Sequence, residues 1–250
     1  MEIGEIVLLK TEYMGKSREY VATVSYDSFH TDLGIIDMDI LLDKEPGDTV
    51  TSHLNHEFHI RKLRTPDIFN HAKRTGAPMM PRDIGIIITN TGINKNDVVL
   101  DVGTGTGILA MYLGSVAKRV VTYESNEEFF KVSRKNINSL GSDNIELRHG
   151  NFVDEIEHIN EQFDVITLDT VDAGKIVPYT VNLLRPGGYL AAYSPFFEQT
   201  KQIREAADNT NFIEVSTVEC IERNISFTER GTRPASSRVG HTGFITIART

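Results

Sequence analysis

Val98-Val99-Leu100-Asp101-Val102-Gly103-Thr104-Gly105-Thr106-Gly107 decides the fold. The first five residues are a run of apolar side chains broken only by Asp101, the composition of a strand buried on both faces of a parallel sheet. The glycines that follow let backbone approach a ligand where a Cβ would clash. A helix is expected over 107–117, so the loop lies between a strand and a helix, the context that a nucleotide-type site requires. The dinucleotide pattern G-x-G-x-x-G is not met. The third glycine comes one residue early, and Ile108 stands where that pattern needs glycine. The loop opens with an acid, Asp101, which suits a cationic amine and repels a pyrophosphate. A P-loop lysine is absent. These three points favour S-adenosylmethionine over NAD or ATP.

Reading outward, strands and helices alternate. A strand is expected over Arg119–Glu124, then a helix over 126–139 opened by a capping box of Ser125 and Glu128. Strands over 145–148 and 163–169, a helix over 174–184, a turn at Arg185-Pro186-Gly187-Gly188, a strand over 189–194 and a helix over 198–208 continue the series. Residues 212–221 and 243–248 read as two strands with no helix between them, so the last pair is antiparallel. The fold class is therefore α/β: a Rossmann-like, doubly wound sheet with an antiparallel last strand. Ahead of it, 21–26, 34–38 and 48–51 read as short strands separated by turn chemistry such as Asp43-Lys44-Glu45-Pro46-Gly47. A helix begins at Thr65-Pro66-Asp67, with a good N-cap, a proline suited to the first position and an acid at the positive end of the dipole. It runs to about Arg74, and Thr75-Gly76-Ala77-Pro78 stops it. The expected organisation is a small all-β domain over 1–64 and an α/β domain over 65–250, with 65–82 as linking helix and segment.

Three further strand ends carry chemistry. Glu124 closes the strand after the loop, where a carboxylate binds both ribose hydroxyls. Asn151 is placed to meet an adenine edge and Phe152 to stack on its face. With Gly103, Thr104, Gly105, Thr106, Gly107 and Ser125, they complete the expected cofactor set. Asp169 ends the fourth strand and is expected to face the transferred methyl, because the ligand crevice lies beyond the carboxyl ends of the strands. An N-cap role explains Asp172 equally well.

The 250 residues include one cysteine, Cys220, which excludes an intrachain disulfide and argues against a Cys/His zinc cluster; it reads as a small buried apolar residue. His53, His56 and His59 are not read as a metal site, since an extended strand puts His56 on the opposite face. No run approaches the roughly 18–20 apolar residues of a membrane span, and the opening MEIGEIVLLK lacks signal-peptide character, so the expected location is the cytoplasm. The net charge is −9, yet residues 53–83 carry +3 with four histidines, and residues 223–250 carry +4, all five basic groups being arginines. These two segments read either as ordinary fluctuation or as halves of one surface for an anionic ligand, and charge alone does not decide between them.

Taken together, these stretches resemble the tRNA adenine-N1 methyltransferases that act on the T-loop, archaeal members especially. Gly47-Asp48-Thr49-Val50-Thr51-Ser52-His53 with Glu57-Phe58-His59-Ile60 is similar to the end of that family's small β domain. Residues 73–83, the loop from Asp101 to Gly107, and Arg233-Pro234 with Val239-Gly240-His241-Thr242-Gly243-Phe244 resemble its pre-fold segment, cofactor loop and C-terminal signature. The resemblance implies methyl transfer from S-adenosylmethionine, with S-adenosylhomocysteine as product, to N1 of a T-loop adenine (position 57/58 of tRNA). It implies Asp169 as the catalytic residue, a homotetramer, and neither metal nor membrane. Arg74, Arg82, Arg233, Arg238 and His241 are then the candidate RNA contacts. Two stretches depart from the family. Ala77 and Met80 stand where it has glutamine and an aromatic or histidine, and Asp169-Thr170-Val171-Asp172-Ala173-Gly174 replaces a proline-rich loop. A protein carboxyl methyltransferase of the isoaspartate type and a non-catalytic subunit that binds cofactor or RNA are the competing readings.

Overall fold

The computed structural model describes residues 1–141, 143–236 and 240–250, and the chain divides into two compact units, Met1–His71 and Ala72–Thr250.

The first unit is a β structure. Strands β1 (Ile6–Tyr13), β2 (Lys16–Thr23), β3 (Ser28–Thr31), β4 (Gly34–Asp37), β5 (Thr49–Thr51) and β6 (Glu57–Lys62) are followed by helix α1 (Thr65–His71). They pair antiparallel as a four-stranded sheet in the order β2-β1-β6-β5 and a separate β3-β4 hairpin. Met14 and Gly15 join β1 to β2 with positive φ values of 51° and 70°, the backbone that a two-residue hairpin turn of matching twist requires. Val7, Leu9, Ile36, Leu41, Phe58 and Ile60 form its core, each fully shielded from solvent. α1 stops at His71, short of the expected Arg74.

The second unit runs α2 (Pro81–Thr91), β7 (Val98–Val102), α3 (Ile108–Gly114), β8 (Arg119–Glu124), α4 (Glu127–Leu140), β9 (Ile145–His149), α5 (Phe152–Glu155), β10 (Phe163–Leu168), α6 (Ala173–Leu183), β11 (Leu184–Ser194), α7 (Phe197–Asp208), β12 (Glu214–Glu219), β13 (Ile225–Thr228), β14 (Gly231–Pro234) and β15 (Phe244–Arg249). The seven-stranded sheet has the order β12-β15-β11-β10-β7-β8-β9. Five neighbouring strands are parallel, and β15 runs antiparallel to both β11 and β12, as the sequence pattern implies. All five residues of β7 are buried, which accounts for its apolar run. The chain winds from β7 outward through β8 and β9, then returns to place β10 on the other side of β7. The crevice at that reversal is where such sheets bind ligands.

Four local readings change. The cap of α4 is Asn126, whose side chain accepts from the Glu128 and Phe129 amides (2.9 and 3.1 Å). Ser125 stays exposed, because the preceding Glu124 already holds the Asn126 amide and sets the chain one residue later. β11 begins at Leu184, and its pairing with β10 shifts across the Arg185–Gly188 turn. The β13-β14 hairpin, almost wholly exposed, has no buried face and hence no alternation in its sequence to announce it. Cys220 is partly exposed rather than buried.

Candidate functional site

β7 delivers Asp101 to the centre of the sheet, where it is fully buried. Its Oδ1 accepts from the Thr167 hydroxyl and its Oδ2 from the Thr122 hydroxyl, both at 2.7 Å. Thr122 has one proton and gives it to Asp101, so in the 2.6 Å contact between Thr104 and Thr122 it is Thr104 that donates. This relay fastens the glycine loop to β8 and β10. Burial pushes the Asp101 carboxyl up to about 6; the two threonines oppose the rise and the charge of Glu124 adds to it. Asp101 lies beneath the loop and is not among the residues that line the cavities above it. Both of its carboxylate oxygens accept from threonine hydroxyls, and its charge acts on Asp169 across the crevice.

Glu124, also buried, ends β8. Its Oε2 accepts from the Gly105 amide and its Oε1 from the Asn126 amide, both at 2.8 Å. Two backbone donors fix its orientation while each oxygen keeps a further lone pair. The amides of Gly103 and Thr104 donate to the Tyr123 carbonyl (3.0 and 3.1 Å) and bend the loop back over β8. At Gly103, φ is +98°, and a Cβ would lie 2.1 Å from the Asp169 carbonyl oxygen. The register of β10 on β7, Leu168 opposite Val102, makes these two backbones touch.

A cavity of about 380 Å3 opens here, lined by Gly103, Gly105, Glu124, Ser125, Asn151, Phe152 and Asp169 of the expected set, together with Phe129. A smaller cavity of about 80 Å3 lies between residues 75–79 and the loop, and adds Thr104 and Thr106. The two share Gly103, Gly105, Phe129 and Asp169. Gly107 lines neither; with φ +83° it caps α3 and packs against Ser133 and Ile137. Asn151 is exposed and spends its Oδ1 on the Val153 amide (3.2 Å), which leaves its amide nitrogen as a donor. Phe152 is buried edge-on against Tyr123, so it forms cavity wall.

Asp169 stands where the cavities meet. Its amide is held by the Val102 carbonyl at 2.8 Å, and among the described residues nothing donates to its carboxylate. Burial pushes that carboxyl up to about 7, and the charges of Asp101 and Glu124 add to the rise. Three carboxylates around one crevice, with no cation beside Asp169 among the described residues, form a site that a positively charged ligand satisfies. Phe129 lines both cavities and was not foreseen: in sequence it is one aromatic in the first turn of an amphipathic helix.

The basic candidates separate. Arg74 and Arg233 are exposed. Arg82 is turned inward, its side chain 11% exposed, with Nη2 donating to the Thr242 hydroxyl (3.3 Å) and Nε 4.0 Å from Asp83. It links α2 to the C-terminal segment and is not presented to a phosphate. Arg238 lies outside the described residues. His241 is exposed, but Nδ1 meets Glu219 (2.6 Å) and Nε2 meets the Pro195 carbonyl (3.0 Å). Both partners accept, so they favour the protonated ring, and its pKa is raised by the Pro195 and Glu219 bonds. His53 accepts the Ile35 amide (2.7 Å), and His56 packs edge-on against Tyr13. Among the described residues no group of three His, Cys, Asp or Glu is arranged to hold a metal, and no helix is long and apolar enough to cross a membrane.

A methyltransferase-domain family model matches residues 93–239. The chain is 34% identical to the tRNA (adenine(57)-N(1)/adenine(58)-N(1))-methyltransferase TrmI of Methanocaldococcus jannaschii, over 94% of this chain and 92% of that protein. It is 26% identical to the tRNA (adenine(58)-N(1))-methyltransferase TrmI of Thermus thermophilus, over 88% of each. In fold it is similar to the tRNA (m1A58) methyltransferase TrmI of Aquifex aeolicus, with a TM-score of 0.72, 22% identity and coverage of 100% of this chain and 98% of that one. A Thermotoga maritima S-adenosylmethionine-dependent O-methyltransferase gives 0.77 at 24% identity, over 100% and 94%.

Proposed function

The chain belongs to the tRNA (adenine-N1)-methyltransferase family, and we propose that its two joined cavities seat S-adenosylmethionine with Asp169 at the transfer point. The enzyme is an S-adenosylmethionine-dependent methyltransferase that acts on N1 of a T-loop adenine, position 57 or 58 of tRNA. The observation that carries the site assignment is the Asp169 carboxylate where the two cavities meet, with no hydrogen-bond donor to it among the described residues.

When bound, S-adenosylmethionine supplies an electrophilic methyl group on a sulfonium. The larger cavity takes the nucleoside end: Glu124 accepts from the ribose hydroxyls, the Asn151 amide meets the adenine edge, and Phe129 and Phe152 wall the ring. The smaller cavity, between residues 75–79 and the loop, takes the amino-acid end. Asp169 accepts a hydrogen bond from the exocyclic amine of the target adenine, which orients N1 and raises its electron density. As N1 becomes cationic, the same carboxylate offsets the charge, so no strong general base is needed. A cation in the crevice stabilises the ionised carboxylate against the burial that raises its pKa.

The target base must leave the folded T-loop to reach this depth. Arg74 and Arg233, with Arg238, are the arginines assigned to the RNA backbone. The assembly is assigned as a homo-oligomer, a tetramer as in the family; exposed Phe196, Phe197, Ile221 and Phe227 support a buried subunit contact. The lone, partly exposed Cys220 fits a reducing compartment, here assigned as the cytoplasm.

The test uses labelled S-adenosylmethionine with unmodified tRNA transcript and, alongside, an isoaspartyl peptide. The expected result is label at N1 of a T-loop adenine. Label on the peptide alone overturns the RNA assignment in favour of the carboxyl methyltransferase, and cofactor binding with no transfer to either points to a non-catalytic subunit or an unrecognised substrate.

A further inference from the structure

Asn136 sits on α4 with only 3% of its surface exposed, and its side chain makes three bonds to two separate pieces of chain. Its Oδ1 accepts from the Lys73 amide (3.0 Å), and its Nδ2 donates to the Lys73 carbonyl (2.9 Å) and to the Thr106 carbonyl (2.8 Å). The side-chain amide thus imitates a strand neighbour for Lys73 and grips the glycine loop with the same nitrogen. No helix or strand includes residues 72–80, yet residues 75–79 form one wall of the smaller cavity, and Thr104, Thr106 and Gly103 form the other. Asn136 ties these two walls together. Its helix neighbours Ser133 and Ile137 pack against Gly107 at the end of the same loop, so the anchor is rigid.

We propose that Asn136 is a positioning residue for the cofactor: it clamps the 73–79 segment over the glycine loop, and the cavity for the amino-acid end of S-adenosylmethionine is complete only while that clamp holds. This rests on the cofactor reading above. The nucleoside end is set by Glu124 and Asn151, to which Asn136 makes none of its three bonds.

Calorimetry on the full chain compares S-adenosylhomocysteine with 5′-methylthioadenosine, which lacks the amino-acid end. Asn136→Ala should weaken S-adenosylhomocysteine by about tenfold or more and leave 5′-methylthioadenosine within about threefold. Equal weakening of both ligands would mean a merely structural residue and overturn the proposal, as would unchanged binding of both. Failure of the unsubstituted protein to bind either ligand would overturn the cofactor reading itself. A second arm needs no variant. Lys73 and Arg74 are exposed trypsin sites within the clamped segment. S-adenosylhomocysteine should slow cleavage there by about tenfold in the unsubstituted protein, and 5′-methylthioadenosine should not. Cleavage unaffected by S-adenosylhomocysteine counts against the clamp.

Discussion

Gly103→Ala is the substitution that the geometry of the crevice constrains most tightly. At Gly103 φ is +98°, and the added methyl would lie 2.1 Å from the Asp169 carbonyl oxygen and 2.8 Å from its carbonyl carbon. Restoring ordinary contact takes roughly 1 Å of movement between two backbones that the β7-β10 pairing holds together. Left-handed backbone costs an alanine about 1–2 kcal/mol, and overpacking at a rigid contact about 1–3 kcal/mol. Together they predict a loss of about 2–5 kcal/mol in urea unfolding. Gly105→Ala is the matched control: φ is +56° with nothing within 4 Å of the new Cβ, so about 1 kcal/mol should be lost. The displaced backbone in Gly103→Ala is that of Asp169 itself, so methyl transfer should fall about 100-fold even where the variant remains folded. Urea melts of both variants and single-turnover transfer rates for Gly103→Ala decide the matter. Equal stabilities for the two variants, or full activity in Gly103→Ala, would refute the reasoning that this contact sets the catalytic carboxylate.

Other expectations follow from single interactions. Thr167→Val removes a donor from the buried Asp101 and should cost about 2–3 kcal/mol in urea melts; a loss below about 0.5 kcal/mol would mean that Asp101 has no need of it. Asn126→Ala should cost about 1 kcal/mol and Ser125→Ala close to nothing, since Asn126 caps α4; the reverse order would restore the sequence reading. Asp83, Asp101, Asp169 and His241 all hold a proton more tightly folded than unfolded. Their contribution is therefore greatest on the acid side and is lost as pH rises through about 6 for Asp101 and about 7 for Asp169. The carboxylates shifted the other way, Glu19, Asp32 and Glu127, are held below the usual carboxylate range and lose their contribution only at more acid pH. Between pH 5 and pH 8 the ligand-free protein should thus melt at progressively lower temperature, with a shallower slope in Asp169→Asn. A melting temperature that climbs across this window contradicts the assignment.

The sheet was legible because burial on both faces writes itself into sequence as an unbroken apolar run, and the glycine loop because a backbone turn at positive φ restricts residue choice. Asp101 was harder. An acid opening the loop looks the same in sequence whether it faces a ligand or two threonines on neighbouring strands, and only the pairing of β7 with β8 and β10 brings Thr122 and Thr167 to it. Arg82 was read as an RNA contact with its bond to Thr242 out of sight for a similar reason: that partner is 160 residues away along the chain. Asn136 and Phe129 carry no motif at all, since helix periodicity reports which face is buried and not what that face holds. Ser125 and Asn126 are both competent caps, and the choice was made by a third residue, Glu124, through its bond to the Asn126 amide.

The most direct test of the central claim is single-turnover methyl transfer from saturating S-adenosylmethionine to unmodified tRNA transcript by Asp169→Ala and the unsubstituted enzyme, with S-adenosylhomocysteine affinity measured on the same preparations. A carboxylate that orients the target adenine and offsets the charge developing on N1 predicts a rate at least about 100-fold lower for Asp169→Ala, with affinity for S-adenosylhomocysteine within about tenfold. Equal transfer rates, or a loss accounted for wholly by failure to bind S-adenosylhomocysteine, would contradict it.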